Sequence, residues 1–351
     1  MSCTVARAPS VRQKLVLGCL SERNIMTVME KKQLLGFLEQ KPQKAWLEAL
    51  GAIREDTHSV DREATRIWFS FWPLELSEAL RAPEGALEMA RSMDLEGEWK
   101  LEKQMDASVA FLYGARHWVA VKNAILTQSD SDTLATTIRG VALRVSETDK
   151  VAVSLVLGIS AVGLMVFRQV GQEVFEKMAD SPAEGELLPK NPDRVVTKRK
   201  RKSRDGVLTF LKGVNRKFDV RWNERTRNGS FRAINGQDIA MAGARAEGDY
   251  RTLDYRRIDG PVPVECRVGS CGYCWVGVLE GHGNLSAISD FERERLRYFG
   301  YDTTNDPDDE QPRIRLACQA QCHGDVSLAI APWNGELKRR HHQGRKKLGT
   351  A

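Results

Sequence analysis

Apolar residues return at helical spacing through the first half of the chain. Over Met29–Gln40, Leu34, Leu35, Phe37 and Leu38 fall on one stripe, and Ala45–Ile53 repeats the arrangement with Trp46, Leu47, Leu50 and Ile53. Asp61–Trp72 ends in the run Ile67-Trp68-Phe69-Ser70-Phe71-Trp72, which Pro73 interrupts, and Leu87–Met93 and Trp99–Ile125 continue the helical composition. Strand-like alternation is missing here. The pattern predicts an all-α helical domain over residues 26–180, preceded by a flexible extension over 1–25. Consecutive aromatics such as Trp68, Phe69, Phe71 and Trp72 cannot all face one core, so some are expected to meet a partner surface. Phe111, Tyr113, His117 and Trp118 form a second aromatic group at helical spacing, and His117 reads as a packed histidine.

Ser181-Pro182-Ala183-Glu184-Gly185 and Asn191-Pro192 break the helical pattern and open a basic linker over 181–205. After Gly206 the period becomes two. Val207–Leu211 and Lys217–Trp222 predict strands, with Phe218, Val220 and Trp222 alternating with polar residues. Asn228-Gly229 predicts a hairpin turn. Asp238–Glu247 predicts a short helix, and Trp275–Leu279 and Val326–Ile330 predict further strands. The whole is an α+β multidomain chain, with the mixed domain over 206–332 and a basic tail over 333–351.

Val151–Phe167 is a run of seventeen residues without a charge, bounded by Lys150 and Arg168, at the lower edge of bilayer-spanning length. Two readings stand: a single membrane span, or a fully buried helix of the α domain, with Ser146-Glu147-Thr148-Asp149 as its start. The basic residues after Arg168 would keep the C-terminal side in the cytoplasm. A span would then put everything before it outside, although residues 1–25 do not have the form of a standard signal peptide. That conflict favours the buried helix. The expected compartment is the cytoplasm, with a peripheral or single-span position at the cytoplasmic face of the membrane as the variant.

At 351 residues, the length agrees with two domains. Lys+Arg 53 against Asp+Glu 47 leaves a net charge of +6, too mild by itself to indicate a nucleic-acid binder. The run Lys198–Arg204 reads as a solvated linker, or as a segment attracted to anionic lipid or to an acidic partner. It has no base-reading motif or aromatic platform, so no nucleic acid is expected. A dinucleotide-binding Gly-x-Gly-x-x-Gly after a strand, a P-loop and a di-iron Glu-x-x-His pair are all missing.

The cysteines carry the chemistry. Cys3 and Cys19 stand alone, whereas Cys266, Cys271, Cys274, Cys318 and Cys322 fall in the last quarter. A disulfide scaffold would spread an even number through a short secreted chain. Cys266-Arg267-Val268-Gly269-Ser270-Cys271-Gly272-Tyr273-Cys274 has the spacing C-x4-C-x2-C, which requires a distant fourth cysteine, and Arg315-Leu316-Ala317-Cys318-Gln319 offers one. Each iron of a two-iron cluster takes two bridging sulfides and two thiolates. A loop that supplies three thiolates has to wrap closely, which Gly269 and Gly272 permit. The spacing is poor for zinc. Cys322, four residues after Cys318, could substitute for it or be a neighbouring thiol. A Rieske centre beside His323 is rejected, because it needs two histidine ligands while four suitable cysteines exist.

These motifs resemble the plant-type [2Fe-2S] ferredoxin family over about residues 206–332. Leu285–Leu296 is similar to the helix that precedes the fourth ligand, and Gly324-Asp325-Val326 to the lead into the last strand. The resemblance implies a β-grasp fold, a [2Fe-2S] cluster as cofactor and metal site on Cys266, Cys271, Cys274 and Cys318, and a potential near about −400 mV. The gap from Cys274 to Cys318 is longer than is usual in that family, which predicts an exposed acidic loop over Asp302–Glu310. The expected function is one-electron transfer, in a subunit that its helical domain docks on a redox protein partner, a larger oxidoreductase or a membrane-associated complex. The alternative is a redox-responsive interaction protein. An enzyme with its substrate site in the α domain ranks last, because no catalytic residues can be named.

Overall fold

The computed structural model describes residues 33–81, 86–93, 100–106, 108–128, 132–180, 190–200, 216–224, 227–252, 255–301 and 312–335. The extension 1–25, the strand expected at 207–211, the acidic loop at 302–310 and the tail beyond 335 lie outside them.

After a helical segment over 33–39, the N-terminal part runs through α1 (Gln43–Ala52), α2 (Ser59–Phe71), α3 (Leu74–Arg81), α4 (Ala86–Ser92), α5 (Leu101–Asp106), α6 (Trp118–Leu126), α7 (Leu134–Asp149), α8 (Leu157–Val170) and α9 (Gln172–Lys177). The uncharged run is divided: residues 151–155 form a partly exposed turn, and α8 begins at Leu157 and continues past Arg168, with all but its last residue buried. Two small residues let it sit that deep. A Cβ on Gly158 would come within 2.3 Å of Thr65 Oγ1, and one on Gly163 within 2.6 Å of Val121 Cγ1. Among the described residues no helix is long and apolar enough to cross a membrane. Ser146–Asp149 does not start this helix. It closes α7, where Lys150 adopts the left-handed conformation (φ 53°).

The segment read as a linker contains α10 (Pro192–Lys200). Its Arg199 is buried, donating to Phe111 O at 2.8 Å and Val60 O at 2.5 Å. Beside it lies Asp61, fully buried, which accepts from Tyr113 N at 2.6 Å and Gly114 N at 2.7 Å. Burial pushes the Asp61 carboxyl up, while those bonds and the Arg199 charge pull it down. Arg199, within the basic run, is thus an anchor of the fold.

The C-terminal part is a five-stranded mixed sheet of β1 (Lys217–Glu224), β2 (Arg227–Ile234), β3 (Trp275–Glu280), β4 (Ile314–Leu316) and β5 (Val326–Ile330), in the order β2-β1-β5-β3-β4. Strand β1 pairs antiparallel with β2 and parallel with β5, and β3 lies antiparallel to both β5 and β4. Short α11 (Ile239–Gly243) and α12 (Asp290–Phe299) complete it. The hairpin turns earlier than expected. Asn228 and Gly229 lie inside β2, facing Asn223 and Trp222. A Cβ on Gly229 would be 2.8 Å from the Trp222 ring, so the glycine makes room for a cross-strand indole.

The two parts share one continuous core. Helix α2 lies between bundle and sheet, which explains its aromatic run. Trp68 Nε1 donates to Ser108 Oγ at 3.0 Å and Phe69 meets Trp46 at 5.8 Å on the bundle side. On the sheet side Phe71 stands edge-on to Trp275 at 5.2 Å. The surface expected to meet a partner is therefore covered by the chain's own sheet. Trp333, placed in the tail by sequence, is fully buried and donates through Nε1 to Phe71 O at 2.6 Å. Arg313 pairs with Glu63 across the same seam at 3.3 Å.

The seam is tightest at β3, where a Cβ on Gly277 would lie 2.3 Å from Ile67 Cγ2. Gly277→Ala is expected to destabilise the chain by ~1–3 kcal/mol through overpacking. In urea unfolding, Gly277→Ala with Ile67→Ala should cost less than the sum of the two single changes. Additive losses would mean that the seam has room to spare.

Candidate metal centre

The loop 266–274 leads directly into β3, and Cys318 follows β4 by two residues. Because Trp275 pairs with Leu316, the two segments end side by side, and Ala317 N donates to Cys274 O at 2.9 Å. The loop turns through Gly269 (φ +76°) and Gly272 (φ +75°). Both sit where a Cβ would strike a ring: Phe291 Cε1 at 2.9 Å for Gly269, and the Phe299 ring at 3.0 Å for Gly272. Arg267 is also left-handed (φ 58°), and its guanidinium pairs with Asp259. Wrapping of this kind turns backbone N–H groups inward, and Cys271 N donates to Cys266 Sγ at 3.4 Å.

The thiols fall into two hydrogen-bonded pairs, Cys266 with Cys271 and Cys274 with Cys318. The first pair is half-buried and the second buried. Burial alone would raise Cys266, but hydrogen bonds from Ser270, the Val268 backbone and Cys271 outweigh it and hold the thiol at about 6. Burial raises Cys271 to about 11. The Cys274 thiol donates to Cys318, which raises Cys274 well above the usual thiol range and lowers Cys318 to about 7. Each pair thus contains one thiol that ionises readily and one that keeps its proton.

Helix α12 and strand β4 brace the loop. Glu292 and Arg315, both buried, form a bidentate pair at 3.0 and 2.9 Å, and Glu292 Oε1 also accepts from Leu316 N at 2.8 Å. The spacing Ser289-x-x-Glu292 suggests a reciprocal capping box. Ser289 does accept from Glu292 N at 3.1 Å, but the carboxylate goes to Arg315 instead. Arg295 donates to Ser270 O at 2.5 Å, and the Tyr301 hydroxyl is shared between Gly335 O and Gly272 O, the latter at 3.0 Å. Sequence reasoning missed Glu292, Arg295 and Tyr301. Arg315 was visible within the Arg-Leu-Ala-Cys-Gln motif, without a role.

The structure brings together the four cysteines at 266, 271, 274 and 318. Cys322 belongs elsewhere. It is fully buried, its N–H donates to Gln237 O at 2.9 Å, and burial pushes its thiol up to about 12. His323 is held by Asn235 at 3.1 Å. His117, read as packed, pairs with Asp149 at 2.6 Å. Among the described residues no three His, Cys, Asp or Glu side chains close around one point as a single ion requires. A two-iron cluster asks for something different: two thiolate pairs about two centres, in a pocket lined with N–H donors. The paired cysteines, glycine-hinged loop and inward N–H groups fit that group.

Residues 244–323 match the family model of the 2Fe-2S iron-sulfur cluster binding domain. No curated protein matches the chain, and no solved structure does.

The thiol pairing has a spectroscopic consequence in the metal-free chain. Thiolate absorbance near 240 nm should rise in a first step between pH 6 and 7, from Cys266 and Cys318, with Cys271 following only near 11. Cys266→Ser should remove the lower edge of that step. A single step at the ordinary thiol value of about 8.5 would contradict the pairing.

Proposed function

We propose that this chain, whose residues 244–323 form a 2Fe-2S iron-sulfur cluster binding domain, uses Cys266, Cys271, Cys274 and Cys318 as ligands and passes single electrons to a protein partner. The observation that carries the reading is the division of four thiols into two pairs around one glycine-hinged loop. The mixed sheet with α12 against it is read as a β-grasp. When bound, a [2Fe-2S] cluster takes up and gives back one electron at a time, at about −400 mV in plant-type proteins.

The chain's own residues divide the remaining work. Cys274 and Cys318 form the buried side, where Trp275, Tyr301 and Phe299 keep water out. Cys266 and Cys271 form the outer side. There Val268, 61% exposed, and Phe291, 48% exposed, put apolar surface beside the loop. Of the large exposed apolar side chains among the described residues, Met241, Tyr255, Ile258, Val268, Phe291 and Tyr298 belong to the C-terminal part, and only Val119 and Leu143 to the larger helical part. That imbalance supports a partner that docks at the loop edge, where the electron path is short. The helical part covers the far side of the sheet, and its outer surface is left to attach the chain to a larger oxidoreductase or membrane-associated assembly.

Anaerobically purified protein should contain two irons and two sulfides per chain. It should show one rhombic S = 1/2 EPR signal near one spin per chain, only after dithionite. Serine at any of the four positions should abolish the normal signal, while Cys322→Ser should keep it. Loss in Cys322→Ser with retention in Cys318→Ser would reassign the fourth ligand. A partner affinity that changes at least a hundredfold between oxidised and reduced protein would favour the redox-responsive alternative.

A further inference from the structure

Arg295 lies on the helix before the fourth cysteine, outside every cysteine motif, yet it grips the cluster loop from behind. Its Nη2 donates to Ser270 O at 2.5 Å, and its Nε donates to Gly269 O at a longer 3.4 Å. The guanidinium lies against two neighbouring rings, 4.7 Å from the Tyr298 centroid and 4.5 Å from that of Phe299. Phe299 is itself fully buried and packs against Gly272. The side chain is therefore packed on an aromatic pair while it holds the loop.

The carbonyl of Ser270 and the N–H of Cys271 belong to one peptide group. In a trans peptide they point in opposite directions from a rigid plane. A charge-assisted bond on the oxygen thus turns the N–H toward the other side, where Cys271 N donates to Cys266 Sγ at 3.4 Å. The same bond polarises the peptide and strengthens its N–H as a donor. Hydrogen bonds to cluster sulfurs favour the more negative, reduced state and raise the reduction potential.

We propose that Arg295 is a positioning residue that raises the cluster potential by aiming the Cys271 N–H at Cys266 through the Ser270–Cys271 peptide. This rests on the proposed ligand set. The side chain is partly exposed, so the part of its effect that acts directly through solvent is screened by salt. The part carried by the peptide is not. The two routes therefore differ in their response to ionic strength.

The test is an EPR-monitored redox titration of the loaded full chain and of Arg295→Gln, at 0.1 M and 1 M KCl. At a fixed applied potential, the reduced-to-oxidised ratio of Arg295→Gln should fall about tenfold, a shift of about 59 mV to more negative values, and the difference should survive in 1 M KCl. With 15N-labelled cysteine, the nitrogen coupling assigned to the Cys271 amide should weaken in the variant. An unchanged potential at equal iron content would overturn the proposal, and so would a shift that vanishes in high salt. If Arg295→Gln loses iron, Arg295→Lys carries the measurement. It keeps the charge but not the fork geometry, so it should shift in the same direction by less, and a wild-type potential would overturn the idea. Wild-type protein without a reduction-dependent signal would instead refute the ligand assignment.

Discussion

The buried pair of Glu292 and Arg315 is the constraint on which the site depends. It ties α12 to β4, and each of those elements delivers half of the surroundings. From α12 come Phe291, Arg295 and Phe299, which back the loop, and from the end of β4 comes Cys318. The pair is fully satisfied, since Arg315 also donates to Ser286 O at 2.8 Å and Glu292 also accepts from Leu316 N. Buried ion pairs are seldom large net stabilisers, but removal of one member leaves a charge stranded at about 3–5 kcal/mol. Their use here is geometric. Two planar groups joined at two points allow one orientation of helix against strand, and therefore one placement of the rings behind Gly269 and Gly272.

The helical part and the sheet are one packed body rather than two modules on a tether. Ile67 lies against Gly277, Phe71 against Trp275, and Trp333, just beyond β5 and beside Trp275, bonds Phe71 O. The aromatic cluster of Trp275, Tyr301 and Trp333 connects this seam to the loop, because Trp275 follows Cys274 and Tyr301 bonds Gly272 O. A disturbance at the helical surface is thereby mechanically close to the cysteines, although the chain segments are distant in sequence.

Much of this was legible in the residues, and the failures have local causes. The loop spacing, the strand at Val326–Ile330 and the helical character of the first half follow from short-range patterns, and the described residues have them. Asn228-Gly229 misled because glycine has two uses, positive φ and absent bulk, and here Trp222 needs the second. Ser146–Asp149 misled because small polar residues suit either end of a helix, and only the left-handed Lys150 tells which. Arg199 was unreadable. Nothing near it in sequence announces that Asp61, on another helix, is buried beside it. Glu292, Arg295 and Tyr301 share that difficulty, since their partners are fixed only once α12 is laid against the loop.

The strand order has a consequence for how the chain is made. Strand β5, the last in sequence, sits at the centre of the sheet, with β1 on one side and β3 on the other. Until residues 326–330 have emerged from the ribosome, the β1–β2 hairpin and the β3–β4 pair have no strand between them, and Trp333 cannot reach Phe71. The helical bundle lies wholly before β1 in sequence, whereas the sheet must wait for closure over more than a hundred residues of intervening chain. During that interval the sheet-facing side of α2, with Ile67 and Phe71, is bare apolar surface. A nascent chain of this protein therefore has a late and exposed stage.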